Sequence, residues 1–88
     1  FEISISSSLY INGGSFYARG STITVGANFD SSVSEAYVEG TSNLYLTGSG
    51  NLRSLSGVSG VYNLHVASTG QTTTLLATID IVNILIID

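Results

Sequence analysis

Few residues of this chain could do chemistry, and an imidazole and a phenol stand out among them. His65 is the only histidine, and Tyr45 occupies the equivalent place in the preceding copy of a repeated motif. Aromatic rings suit the apolar faces of sugar rings, so Tyr45 and His65 are candidate carbohydrate contacts. The competing interpretation is an exposed pair that only packs together on a strand. No Ser-His-Asp or Cys-His arrangement is present, and we therefore assign no catalytic residue.

The acidic residues give a weaker signal. Only Asp30, Glu35 and Glu39 lie near one another in sequence. Enzymes that cleave glycans need several carboxylates that converge on the scissile bond. These three residues are more simply interpreted as solvated charges of a loop, so a glycan lyase or hydrolase is only a minor alternative function. The chain has neither a calcium-binding repeat nor an EF-hand spacing. We expect no metal and no cofactor.

The composition narrows the class of protein. Charged residues make up 9% of the 88 residues, the net charge is −4, and there is no lysine and no cysteine. Nucleic-acid binding needs clustered basic groups, so it is not expected. The longest apolar run, "IVNILII" at 81–87, is too short to span a bilayer, and no membrane insertion is expected. Low charge with 24 Ser and Thr residues is typical of extracellular structural proteins, which predicts an extracellular or cell-surface location.

An apolar-x-apolar motif returns at a nearly constant interval of about 20 residues. The step from the second copy to the third is one residue longer than the others, and an asparagine precedes each of the last three copies. The copies are Ile3-Ser4-Ile5, Ile23-Thr24-Val25, Leu44-Tyr45-Leu46, Leu64-His65-Val66 and Ile84-Leu85-Ile86. Short segments that alternate apolar and polar residues are strands with one buried face. A repeat of this length with about three such strands predicts a stacked, coiled fold.

The predicted fold is all-β: a parallel β-helix, or β-solenoid, of about four coils of ~20 residues, stacked at roughly 4.8 Å. One interior ladder would contain Ile3, Ile23, Leu44, Leu64 and Ile84, and the next Ile5, Val25, Leu46, Val66 and Ile86. The outward file would contain Ser4, Thr24, Tyr45, His65 and Leu85. The preceding residues Asn43, Asn63 and Asn83 would stack at one corner, where amides can hydrogen-bond along the axis. An antiparallel β-sandwich is the alternative, but it does not require the same pattern to return at a fixed interval.

A second phase of the repeat concerns two tyrosines. Phe16-Tyr17-Ala18 is followed one repeat later by Ala36-Tyr37-Val38. This alignment predicts that Tyr17 and Tyr37 both point outward, one coil apart. Outward aromatic files can hold one solenoid against another, so Tyr17 and Tyr37 are candidate assembly contacts.

Two runs carry a resemblance to a known class of proteins. They are "SLYINGGSFYARGSTITVGANFD" at 8–30 and "GVYNLHVASTGQTTTLLATIDIVNILIID" at 60–88. Both resemble repeats of large prokaryotic secreted or surface-anchored proteins, often called adhesin-like, that are read as right-handed parallel β-helices. The match is a repeat signature with no active-site motif, and Ala27 replaces a usual glycine. The resemblance implies an elongated, non-catalytic surface module.

The function expected from sequence is therefore structural. Residues 1–88 would form one solenoid segment of an extracellular fibre, filament or adhesin that self-associates through its strand ends. Three forms remain open: covalent continuation into further coils, end-to-end stacking of copies, and donation of a strand. The candidate contacts are Ile3, Ile5, Ile84, Ile86 and Ile87, besides the two tyrosines. The alternative is a carbohydrate-binding β-helix module, adhesin-like or tailspike-like, with glycans as partners.

Overall fold

The computed structural model of the chain describes residues 1–31, 37–54, 60–67, 70, 72–76 and 78–88, without the side chains of residues 53 and 54. The described part contains eleven strands: β1 (Glu2–Ile5), β2 (Leu9–Ile11), β3 (Phe16–Tyr17), β4 (Thr22–Val25), β5 (Phe29–Ser31), β6 (Tyr37–Val38), β7 (Asn43–Leu46), β8 (Gly50–Ser54), β9 (Val61–Val66), β10 (Thr73–Leu75) and β11 (Ile81–Ile87). Within those ranges, no helix is long and apolar enough to cross a membrane.

The strands form three parallel sheets that run along the same stack of coils. The first sheet has five strands in the order β1-β4-β7-β9-β11, and the second has four in the order β10-β8-β5-β2. The third pairs β3 with β6. Every described pairing is parallel. The predicted all-β solenoid is confirmed, and an antiparallel sandwich is excluded because it would pair its strands the other way.

The interior ladders follow from the alternation of the strands. Ile3 pairs with Ile23, Ile23 with Leu44, and Leu44 with Leu64, as the repeat predicts. The second ladder, through Val25 and Leu46, is likewise in register. The side chains of Ile23, Leu44, Val25 and Leu46 are buried. Successive side chains of a strand point to opposite faces, so the residues between them lie on the outer face.

The last rung differs from the prediction by one residue. Between Ile81 and Ile84 the register shifts, because β11 has one more residue there than β9. This is the arrangement of a β-bulge, in which an extra residue in one strand displaces all later side chains. Leu85 therefore pairs with Leu64, and Ile87 pairs with Val66. The prediction that Ile84 continues the first interior ladder is wrong.

The same shift changes the outer face. Ile84 pairs with Asn63, and Ile86 pairs with His65. The predictions that Ile86 lies in the second interior ladder and that Leu85 follows His65 in the outward file are therefore also wrong. The run after Asn83 is apolar at every position up to residue 87, so hydrophobic alternation could not choose between the two registers.

The orientation of Tyr37 also differs from the prediction. The prediction placed it outward beside Tyr17, but Phe16 pairs with Tyr37, and Tyr17 pairs with Val38. The step between these strands is one residue longer than the alignment assumed, and a slip of one residue turns a side chain to the other face. Tyr37 is only 1% exposed. Its ring stacks on that of Phe16 at 6.1 Å and meets the edge of Phe29 at 5.0 Å.

The second sheet also follows the 20-residue repeat, because Leu9 pairs with Phe29. One corner of the coil is tight. A Cβ on Gly48 would lie 2.1 Å from the carbonyl oxygen of Gly26, and one on Gly26 would lie 2.4 Å from that of Ser6. Glycine at these positions lets successive coils approach closely, which no other residue allows.

Candidate functional site

Five of the predicted site residues lie on two surfaces of the stack: Tyr45, His65, Ile84, Ile86 and Ile87. We call the first the outer-face groove; it lies on the outside of the five-stranded sheet. Its lining includes Asn43, Tyr45, Asn63, His65, Ile84 and Ile86. We call the second the open end; it is the edge formed by β11 and the cavity beneath it, lined in part by Leu52, Leu64, Val66, Leu75, Leu85 and Ile87.

The outer-face groove lies between two columns of side chains. Asn43, Asn63 and Ile84 pair along one column, two residues along the strands from the column of Tyr45, His65 and Ile86. The groove has a volume of about 180 Å³. Two rungs thus present an amide beside a ring, and the third rung presents two isoleucines.

Tyr45 and His65 are brought together as the repeat predicts. Their ring centroids lie 4.9 Å apart, and the ring planes meet at 63°. The rings therefore pack edge to face and do not form one flat platform. His65 Nε2 lies 2.8 Å from Asp88 Oδ2. This contact is at hydrogen-bond distance and restricts the orientation of the imidazole ring.

The three asparagines form a hydrogen-bonded ladder, which confirms the stacking expected at this corner. Asn83 Nδ2 donates to Asn63 Oδ1 at 2.9 Å, and Asn63 Nδ2 donates to Asn43 Oδ1 at 2.7 Å. Asn43 Nδ2 reaches Thr22 Oγ1 at 3.5 Å, a weak contact. A primary amide has two N–H donors and two acceptor lone pairs. The ladder therefore uses one donor and one acceptor of Asn63 and leaves the others for a further partner.

The open end is mostly apolar. Its cavity has a volume of about 410 Å³. The large side chains of β11 from Val82 onward are exposed, with Ile87 at 69%. Leu85 and Ile87 continue the two interior ladders but have no further rung over them in the described chain. At the opposite edge of the sheet, β1 presents Ile3 and Ile5, which are half-buried.

The two candidate assembly tyrosines have different environments. Tyr17 is exposed, and the guanidinium of Arg19 lies 5.8 Å from its ring centroid. Tyr37 is in the core, where its hydroxyl lies 3.0 Å from Ser42 Oγ. Burial raises the pKa of Tyr37, the hydrogen bond with Ser42 opposes that shift, and the charge of Glu39 adds to it. Of these two tyrosines, only Tyr17 can contact another molecule without local unfolding of the chain.

The acidic residues that the structure describes do not form a recognisable centre. Asp30 is half-buried in β5, and Glu39 is half-buried in the turn after β6. Glu35 lies outside the described residues. In the described ranges, no group of three or more His, Cys, Asp or Glu side chains could hold a metal ion. The expectations of no metal, no cofactor and no catalysis stay predictions.

Two contributions to the outer-face groove were missed in the sequence. Asn43 and Asn63 were assigned to a corner only, although each stands two residues before Tyr45 or His65. That spacing places both members of a pair on one face of a strand, so the sequence contained the signal. Asp88 as the partner of His65 had no such signal, because the bulge in β11 decides where this carboxylate lies.

Comparisons with known proteins add no further identification. No family model, no curated protein and no solved structure matches the chain.

Proposed function

We propose that this chain is a non-catalytic structural module of an extracellular fibre, filament or surface adhesin that is extended by stacking another β-coil on its open end. The observation that supports the proposal best is the apolar edge strand β11 above its 410 Å³ cavity. An exposed strand edge is a template for pairing with another strand. Here the edge also carries apolar side chains that a further coil would cover.

The open end specifies what kind of segment would cover it. The next rung must be a parallel strand with apolar residues two positions apart, because Leu85 and Ile87 face the interior. Within this chain, β1 has that pattern in Ile3 and Ile5 and is the opposite edge of the same sheet. A second copy could therefore stack its β1 on β11. Further coils of the same polypeptide or a donated strand would satisfy the same requirement.

The extracellular location rests on composition and on the resemblance to adhesin-like repeats. The chain has 24 Ser and Thr residues among 88, no cysteine and no lysine, so it has no thiol to oxidise and few basic groups that could attract nucleic acid. Its stability comes from stacked apolar ladders and from hydrogen bonds between coils. Repeat proteins of this kind are extended by adding units, since each coil contacts only its neighbours.

Sedimentation velocity of the 88-residue chain across a wide concentration range tests the proposal. We expect reversible or filamentous association that grows with concentration, with electron micrographs showing particles elongated along one axis. Ile87→Lys should weaken association, because it places a charge where the next coil would pack. Tyr45→Lys is the control: Tyr45 is 37% exposed and lies on β7, which is paired with a strand on each side and is therefore away from both ends of the stack.

Each outcome decides a part of the proposal. A folded chain that stays monomeric at every concentration would overturn it. If Tyr45→Lys weakens association as much as Ile87→Lys does, stacking at the open end is not the contact. Tyr17→Lys separates end-to-end stacking from lateral association, because Tyr17 is exposed on a different sheet.

A further inference from the structure

The outer-face groove combines three kinds of side chain. A partly exposed ring pair forms one side, two asparagine amides form the other, and Ile86 and Ile84 continue these two sides on the last strand. The amides of Asn43 and Asn63 each keep an unused donor and acceptor after the ladder bonds are made. Such a mixture of a ring and fixed amides suits a ligand with vicinal hydroxyls and an apolar C–H face.

We propose that the outer-face groove binds a neutral saccharide, with one sugar ring seated between the amide column and the ring column. The C–H face of the sugar would contact Tyr45, and its hydroxyls would pair with the free amide groups of Asn43 and Asn63. This function is separate from the structural role proposed above, because the groove lies on the outer face of β7, β9 and β11, whereas Leu85 and Ile87 continue the interior ladders that a further coil would cover.

The size of the groove points to a single ring. Pockets for drug-sized ligands have volumes of about 300–1,000 Å³, whereas this groove has about 180 Å³. The edge-to-face geometry of Tyr45 and His65 leads to the same conclusion, because two rings at 63° cannot both lie flat against one sugar. The contact is therefore one aromatic ring per sugar ring, and the rest of an oligosaccharide would extend into solvent.

Charge selects neutral sugars over acidic ones. The chain has a net charge of −4, and the carboxylate of Asp88 lies 2.8 Å from His65 at the groove. Arg19 lies beside Tyr17, which belongs to a different sheet. A uronic or sialic acid would therefore approach like charge, and no arginine side chain that the structure describes lines the groove to receive it.

The test is a titration of the ¹⁵N-labelled 88-residue chain with methyl glucoside, methyl galactoside, N-acetylglucosamine and glucuronate, followed by amide chemical shifts. We expect at least one neutral sugar to shift signals of β7, β9 and β11 selectively, and glucuronate to bind more weakly. Tyr45→Thr, which copies the Thr24 residue one coil earlier, should lower affinity about tenfold. Tyr17→Thr, at an exposed tyrosine of another sheet, should leave affinity unchanged.

A second variant keeps the test decisive if Tyr45→Thr fails to fold. Asn43→Thr copies Thr22 from the previous rung of the amide column and should lower affinity severalfold, because it removes the amide. Three results would overturn the proposal: no neutral sugar shifts the amide signals of these strands, glucuronate binds as tightly as the neutral sugars, or Tyr17→Thr loses as much affinity as Tyr45→Thr. Sedimentation of the Tyr45 variant should be that of the wild type, so failure of sugar binding would leave the structural role intact.

Discussion

Truncating two leucine side chains of the same interior ladder, one in the middle of the stack and one on the edge strand, gives the sharpest test of the fold. Leu44 and Leu85 occupy the same interior column, but Leu44 is 0% exposed whereas Leu85 is 48% exposed. Both can be changed to alanine. Full burial of a leucine contributes about 1.5–3 kcal/mol of transfer free energy, and a cavity left behind raises the cost of Leu→Ala to about 2–5 kcal/mol.

The position within the stack decides how much stability each variant loses. The rungs above and below Leu44 are held by ladder hydrogen bonds at a fixed spacing, so the site cannot collapse, and we expect a loss of about 4 kcal/mol. Leu85 has already half its surface in water and would leave no closed cavity, so we expect a loss of about 1 kcal/mol. A chain of this length has a total unfolding free energy of about 4–13 kcal/mol.

Urea unfolding at low protein concentration measures the difference. With a denaturant slope of about 2 kcal/mol/M, Leu44→Ala should lower the midpoint by about 2 M and Leu85→Ala by about 0.5 M. Equal shifts would refute the conclusion that β11 is the uncovered rung of this column. At high concentration the loss for Leu85→Ala should grow, because the proposed stacking covers it.

Three further outcomes follow from the structure. Gly48→Ala should severely destabilise the fold, because its Cβ would lie 2.1 Å from the Gly26 carbonyl oxygen, whereas Gly13→Ala, with nothing within 4 Å of its Cβ, should change the melting temperature little. The raised pKa of Tyr37 means that the folded chain keeps a proton that the unfolded chain loses above the ordinary value of 10.0. The free energy of unfolding should therefore be insensitive to this group below about pH 10 and fall as the pH rises beyond it; Tyr37→Phe should lessen that fall, and an equal fall in both proteins would contradict the assignment. Chelator should leave the melting temperature unchanged, and a large decrease with EDTA would reveal a bound ion.

The sequence was sufficient to predict the parallel stack. Apolar residues return at one nearly constant interval from Ile3 to Leu64, and only stacked parallel coils bring such positions into one column. The same repeat placed Tyr45 beside His65 and the asparagines in one ladder, because identical positions of successive coils must be neighbours.

The tertiary structure alone decided which way residues point where the repeat changes length. Tyr37 is buried because the coil between β3 and β6 is one residue longer than the repeat alignment assumed, and Ile84 lies outward because β11 contains one extra residue. A single residue turns a strand side chain from the interior to the surface, and an apolar run such as 84–87 fits either register. The open end, the outer-face groove and the contact between Asp88 and His65 all depend on that choice, which is made by packing against the neighbouring coil and not by the local sequence.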